Sequence, residues 1–260
     1  MALTSKVALV TGAAKGLGKG FSEILLKNGA KVALLDINEA AGKELKSAFD
    51  KQYGVDSTIF QLCDVSSEVQ LKEAFRKTVE FFGKLDITCN NAGITNEQKW
   101  EKTVAINLNG VIRGTYLALQ YMKKENGGQG GVIVNVASMA GLGPFLSVPV
   151  YTATKHGVVG FSRAMADASQ LCDYGVRINI LCPAFVRTDI VDSLSADDRT
   201  GQFSLLKAYT HKLVETHGML EVSEVAEGFL QLVTDESKNG AAMRLTKKTG
   251  CSFMEFPSFQ

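Results

Sequence analysis

Short apolar runs alternate along the whole chain with longer stretches whose apolar positions recur every three or four residues. The runs at residues 7–11, 31–35, 58–62, 85–89, 132–136, 176–181 and 241–245 are continuous rather than alternating, as strands buried on both faces of a parallel sheet would be. Between them, helical spacing is carried by Phe21, Leu25 and Leu26, by Phe75, Val79 and Phe82, and by residues 102–124, 151–169 and 223–235. Asn28-Gly29 stops the first helix, Asp36 can cap the second, which starts near Asn38, and Ser67-x-x-Gln70 predicts a capping box for the third. The alternation predicts an α/β fold: a doubly wound, mostly parallel sheet of about seven strands with helices on both faces. Residues 1–260 read as one domain. The irregular apolar region at about 185–220 reads as an insertion of short helices capping the site.

The turn between the first run and the first helix is Gly12-Ala13-Ala14-Lys15-Gly16-Leu17-Gly18. A strand, a glycine turn and a helix N-terminus together cradle a pyrophosphate, because the glycines let backbone amides approach it. Asp36 closes the second run, where a carboxylate accepts from ribose hydroxyls and repels a 2′-phosphate. This favours NAD. Lys15, inside the loop, could instead neutralise that phosphate, which keeps an NADPH-linked carbonyl reductase open as an alternative.

A second signal lies in Pro149-Val150-Tyr151-Thr152-Ala153-Thr154-Lys155, with Ser138 upstream. On a helix, Tyr151 and Lys155 share a face one turn apart. An ammonium about 4 Å from a phenol, at an effective dielectric of about 20, is worth roughly 4 kcal/mol, enough to take the phenol from ~10 toward ~7 before desolvation opposes it. Tyr151 is then placed to act as a general base, with the Ser138 hydroxyl on the same substrate oxygen.

Composition narrows the partners. A net charge of +1 favours neither nucleic acid nor an anionic membrane, and no apolar run is long enough for membrane insertion. The five cysteines show no metal-ligand spacing, and their odd number fits reduced thiols in the cytoplasm. No metal is expected.

Thr11-Gly12…Gly16…Gly18, Asn90-Asn91-Ala92-Gly93, Ser138 and Tyr151-x-x-x-Lys155 together resemble the short-chain dehydrogenase/reductase family over essentially the whole chain. The resemblance implies a Rossmann fold, a nicotinamide cofactor and hydride transfer at a carbinol carbon. It implies catalytic roles for Tyr151, Lys155, Ser138 and Asn107, the last supporting a water relay to Lys155. It also implies cofactor contacts at Gly12, Lys15, Gly16, Leu17, Gly18, Asp36, Ile37, Cys63, Asp64, Val65, Asn91, Tyr151, Lys155, Val186 and Thr188. Ser138, Val148, Phe185 and His217 fall on the substrate side. There Val148 stands where a glutamine is expected on the resemblance, and His217 where a tyrosine is. Ala184 replaces the glycine after Pro183, which matters only if that position needs positive φ. Apolar residues such as Leu142, Phe145, Leu146, Phe203, Tyr209 and Leu213 suit a lipid-like alcohol, a prostaglandin or hydroxy-fatty acid, oxidised to its ketone. A homodimer through the 151–169 helix is expected. A non-catalytic dinucleotide-binding partner protein is the alternative from another class.

Overall fold

A computed structural model describes residues 2–193 and 197–257. Its centre is a single eight-stranded sheet: β1 (Val7–Thr11), β2 (Lys31–Asp36), β3 (Thr58–Leu62), β4 (Ile87–Asn90), β5 (Gly131–Val136), β6 (Val176–Pro183), β7 (Ala242–Thr246) and β8 (Gly250–Phe253). The spatial order is β3-β2-β1-β4-β5-β6-β7-β8; all pairs are parallel except β7 with β8. The expected sheet therefore gains one antiparallel edge strand. Its four residues, Gly-Cys-Ser-Phe, carry no apolar run from which a strand could be read.

Helices α1 (Gly16–Lys27), α2 (Glu39–Tyr53) and α3 (Glu68–Phe82) follow the first three strands, and α4 (Trp100–Val104) and α5 (Gly110–Met122) follow β4. Then come α6 (Pro149–Leu171), α7 (Asp189–Ser193), α8 (Asp197–Thr200), α9 (Lys207–His217) and α10 (Val222–Thr234). One face of the sheet packs Phe21, Leu25 and Phe229 from α1 and α10; the other packs Leu71 and Phe75 from α3 and Leu117 and Met122 from α5. Both faces are thus covered, which is why β1 and β4 are buried along their whole length.

Three local expectations change. The helix expected over 102–124 is interrupted by a π turn at Ala105–Asn109, with Asn107 inside it. Wide turns of this kind frequently occur at functional sites. The capping box at Ser67 is half made: Ser67 Oγ accepts from Gln70 N, but Gln70 Oε1 accepts from Asp64 N at 2.9 Å and pins the loop before α3. Asn38 caps α2 through Ala41 N, which leaves Asp36 free for other work.

The chain runs outward from β1 through β2 to β3, then returns to place β4 on the other side of β1. That reversal opens a crevice at the carboxyl ends of β1 and β4, where open α/β sheets hold ligands. Between β6 and α10 lies a cap segment containing α7, α8, a 3-10 turn (Gly201–Leu206) and α9. Its two stems meet in a bridge between Val186 and Leu220. Ala184 takes no positive φ (among the described non-glycine residues only Ser5 and Asp173 do), so the missing glycine costs nothing there.

Candidate active site

The crevice, of about 310 Å³, is lined by Gly12, Lys15, Gly16, Leu17, Asp36, Ile37, Cys63, Asp64, Val65, Asn91, Ser138, Tyr151, Lys155, Val186 and Thr188. Ser138 apart, these are the residues expected at the cofactor, all of them except Gly18. That glycine lies underneath: a Cβ on it would sit 2.0 Å from the Gly12 carbonyl oxygen, so its role is to let α1 close onto the β1 turn. Gly12 and Gly16 have φ of +63° and +55°, the left-handed region that the tight turn requires.

The loop is braced from β4. Asn91 Nδ2 donates to the carbonyls of Thr11 and Gly12, and Thr11 Oγ1 accepts from Asn91 N and Ala92 N. Beneath it, Asn90, Thr115, Asn135 and Ser162 form a buried hydrogen-bonded ladder joining β4, α5, β5 and α6. At the far end, Asp36 Oδ2 accepts from Ala14 N and Oδ1 from Asn38 N, each at 2.8 Å. The carboxylate is thereby fixed at the mouth of the glycine loop. Lys15 is engaged by Asp189 of α7, across the crevice. A glycine cradle, a helix N-terminus and a fixed carboxylate in one crevice fit an extended dinucleotide.

At the other end stand Tyr151 and Lys155. Their shared helix buries Tyr151, Thr154, Lys155, Val158, Val159 and Ser162, the stripe expected of one face. Lys155 Nζ donates to Val136 O at 2.8 Å and lies 5.5 Å from the centroid of the Tyr151 ring. Burial pushes the Tyr151 phenol up to about 12 against the opposing hydrogen bond from Ser138, and pulls the Lys155 ammonium down to about 8. The expectation of a phenol acidified by its neighbouring cation is therefore corrected for the protein alone. Enclosure disfavours the phenolate by more than the Ser138 hydrogen bond favours it, and Lys155, 5.5 Å from the ring centroid, is not among the groups that shift the phenol.

Ser138 stands at the end of β5, beside the phenol, with Ala140 N donating to its Oγ. Asn107 lies behind: its Oδ1 accepts from Ile94 N, and its Nδ2 donates to Ile94 O and Thr154 Oγ1. Its side chain is thus taken up by the backbone, and it shares with Lys155 the space beside Gly93. Val148 packs with Ala140 and Tyr151 against Phe145 and Phe185, whose rings meet nearly edge to face. His217 does not join them. It is exposed at the end of α9, with Nδ1 on Leu213 O. Sequence reasoning missed Glu97, a buried carboxylate behind Tyr151.

The cysteines are unpaired: Cys63, Cys89 and Cys182 are buried, Cys172 and Cys251 exposed. Among the described residues no group of His, Cys, Asp and Glu could hold a metal ion, and no helix is long and apolar enough to cross a membrane.

The short chain dehydrogenase family profile matches residues 6–199. The chain is 47% identical to the 15-hydroxyprostaglandin dehydrogenase [NAD(+)] of Rattus norvegicus, over 100% of this chain and 98% of that one. It is 48% identical to the Homo sapiens protein of the same name, over 98% and 96% respectively. Among solved structures, levodione reductase superposes with a TM-score of 0.81 at 28% identity, covering 94% of this chain and 97% of that one.

Proposed function

The chain belongs to the short-chain dehydrogenase family, and from that premise we propose that it oxidises a secondary alcohol on a prostaglandin or hydroxy-fatty acid to the ketone, with NAD as cofactor. The observation that carries the reading is the meeting of Ser138, Tyr151 and Lys155 at the carboxyl end of the sheet, in the same crevice as the glycine loop and Asp36. Relatives named for this reaction align with the chain from end to end.

Gly12, Gly16 and the α1 N-terminus would hold the pyrophosphate, Asp36 the adenosine ribose, and Asp64 and Val65 the adenine. Asp36 accepts two backbone hydrogen bonds and cannot turn away from a 2′-phosphate, while Lys15 is occupied by Asp189. Both features favour NAD over NADPH. Bound NAD supplies the hydride acceptor and, in its oxidised ring, a positive charge that favours a phenolate.

The Ser138 hydroxyl donates to the substrate oxygen and holds it against the Tyr151 phenol. Tyr151 takes the hydroxyl proton as the carbinol hydrogen leaves as hydride, so the alcohol loses two electrons and two hydrogens. Lys155 holds the cofactor ribose and keeps a cation near the phenol. Val148 offers no hydrogen bond, so the substrate oxygen rests on Ser138 and Tyr151 while Val148, Phe145 and Phe185 contact the carbon chain. Ile190 extends the apolar wall from the cap. Pairing of two copies over α5 and α6 belongs to the same proposal, supported by half-exposed Tyr116 stacking edge-on against Phe161 at that surface.

Tyr151→Phe tests the reading. NADH formation from 15-hydroxyprostaglandins and hydroxy-fatty acids is expected to fall by roughly 10³-fold, within the usual worth of a general base, while NADH binding persists. Undiminished turnover would overturn the assignment of the base.

A further inference from the structure

The helix that carries Tyr151 and Lys155 begins without a capping side chain of its own. Val148 occupies the N-cap position and cannot accept a hydrogen bond through its side chain. The backbone donors of the first turn can nevertheless all be accounted for. Pro149 has none, and Thr152 N bonds to Val148 O at 2.9 Å. The remaining two, Val150 N and Tyr151 N, donate to Glu97: Oε2 at 2.9 Å and Oε1 at 3.0 Å.

Glu97 comes from the loop after β4, 53 and 54 residues away in sequence, and is only 9% exposed. A carboxylate at a helix N-terminus is favoured by the partial positive charge there as well as by its two hydrogen bonds. The loop that presents it is held on both sides. Asn107 grips Ile94 by both its amide and its carbonyl, and Glu97 N donates to Arg199 O of α8 at 2.7 Å. One residue thus joins the cofactor-side loop, the cap and the backbone of Tyr151 itself.

We propose that Glu97 is a positioning residue for the reaction: its carboxylate fixes the first turn of α6, and through it the Tyr151 phenol, against Ser138 and the substrate oxygen. The inference rests on the functional reading above for its kinetic consequence and on hydrogen bonding alone for its structural one. Glutamine at this position keeps one acceptor oxygen and turns a donor toward the other amide. Alanine leaves both amides bare.

The test compares wild type, Glu97→Gln and Glu97→Ala, with turnover expressed per NADH-binding site counted by fluorescence titration. Alanine is expected to slow turnover per site at least tenfold and glutamine by less, with the Kd for NADH unchanged within twofold. A loss of folded protein alone would not move turnover per binding site. Hydrogen exchange of a peptide spanning 148–153 is expected to quicken about tenfold in Glu97→Ala while one spanning 7–18 does not change. If the alanine variant does not fold, the glutamine variant decides by the same measures. Unchanged turnover per site, or a Kd for NADH that rises in step with the loss, overturns the proposal. Wild type inactive on every alcohol tried would overturn the functional reading instead, and exchange over 148–153 would still decide whether Glu97 holds the helix.

Discussion

The glycine-loop floor and the cap segment face each other across one crevice and are built in opposite ways. In the floor, β1 is buried throughout, and the loop above it is tied to β4 by backbone-directed bonds from Asn91 and Thr11. In the cap, among residues 187–219 whose side chains are described, only Thr200 and Thr210 are buried, and Leu205 is 91% exposed. The floor therefore holds its geometry by close backbone packing. Polar bonds that tie the described part of the cap to its surroundings include Lys15 with Asp189, Glu97 N with Arg199 O, and Ser147 with Thr210. Such a division lets the substrate side vary without disturbing the cofactor side.

The largest effect that can break this comparison comes from adding one methyl group to each region. Gly18→Ala brings Cβ to 2.0 Å from the Gly12 carbonyl oxygen and 2.8 Å from Asn91 Nδ2. Strand and helix must part, at an expected cost of roughly 3 kcal/mol or more in urea denaturation, with loss of NADH binding. Gly201→Ala in the cap meets the flexible Gln98 side chain at 3.0 Å with a φ of +54°. Its cost is expected at about 1–2 kcal/mol, that of a left-handed residue, with NADH binding retained. Equal losses in both variants would mean that the cap and floor are one cooperative unit.

The next effect concerns the cation buried at the catalytic end of the crevice. Burial lowers Lys155 from its ordinary 10.5 to about 8, so between those values the unfolded chain keeps a proton that the folded protein has released. Folded stability therefore rises with pH across that window, and the full penalty applies below pH 8. Lys155→Met removes it. Relative to wild type, the variant is expected to gain about 3 kcal/mol below pH 8, less a constant for the lost bond to Val136 O, and to lose that gain by about pH 10.5. A difference independent of pH would show that Lys155 carries no burial penalty. Cys63, whose thiol is pushed up to about 12, is common to both proteins and cancels.

These two regions also differ in how far the sequence reveals them. The glycine spacing, Asp36, Ser138 and the Tyr151–Lys155 pair are legible because each needs a particular residue type at a fixed distance from a strand end. Placement in one crevice follows from the strand order, which the structure supplies. The acidity of Tyr151 is not legible, since spacing gives the neighbouring cation but not the enclosure that raises the phenol. Glu97 belongs to no motif; its signal is indirect, a helix opening on Pro149 with no capping residue at Val148. The π turn leaves no residue signature at all. In the cap, His217 falls on a helix whose few buried positions do not show which face turns inward, and it lies outside the crevice.

The smallest effect sharpens the comparison most, because it touches the seam between the regions. Thr210 Oγ1 donates to Ser147 Oγ at 2.9 Å, with both residues 1% exposed. Ser147 directly precedes Val148, which packs against Tyr151, so this bond links α9 of the cap to the start of the catalytic helix. Thr210→Val keeps the shape and leaves the Ser147 hydroxyl without its cap partner, at an expected cost of about 1 kcal/mol. The double variant with Ser147→Ala removes both polar groups and is expected to recover most of that loss, since an enclosed apolar pair needs no bond. In kinetics, Thr210→Val is expected to raise KM for the alcohol a few-fold and leave the Kd for NADH alone. A Kd for NADH that shifts as much as KM would show the cap reaching through α6 to the nucleotide. The crevice would then have to be treated as one site whose substrate and cofactor ends are set together.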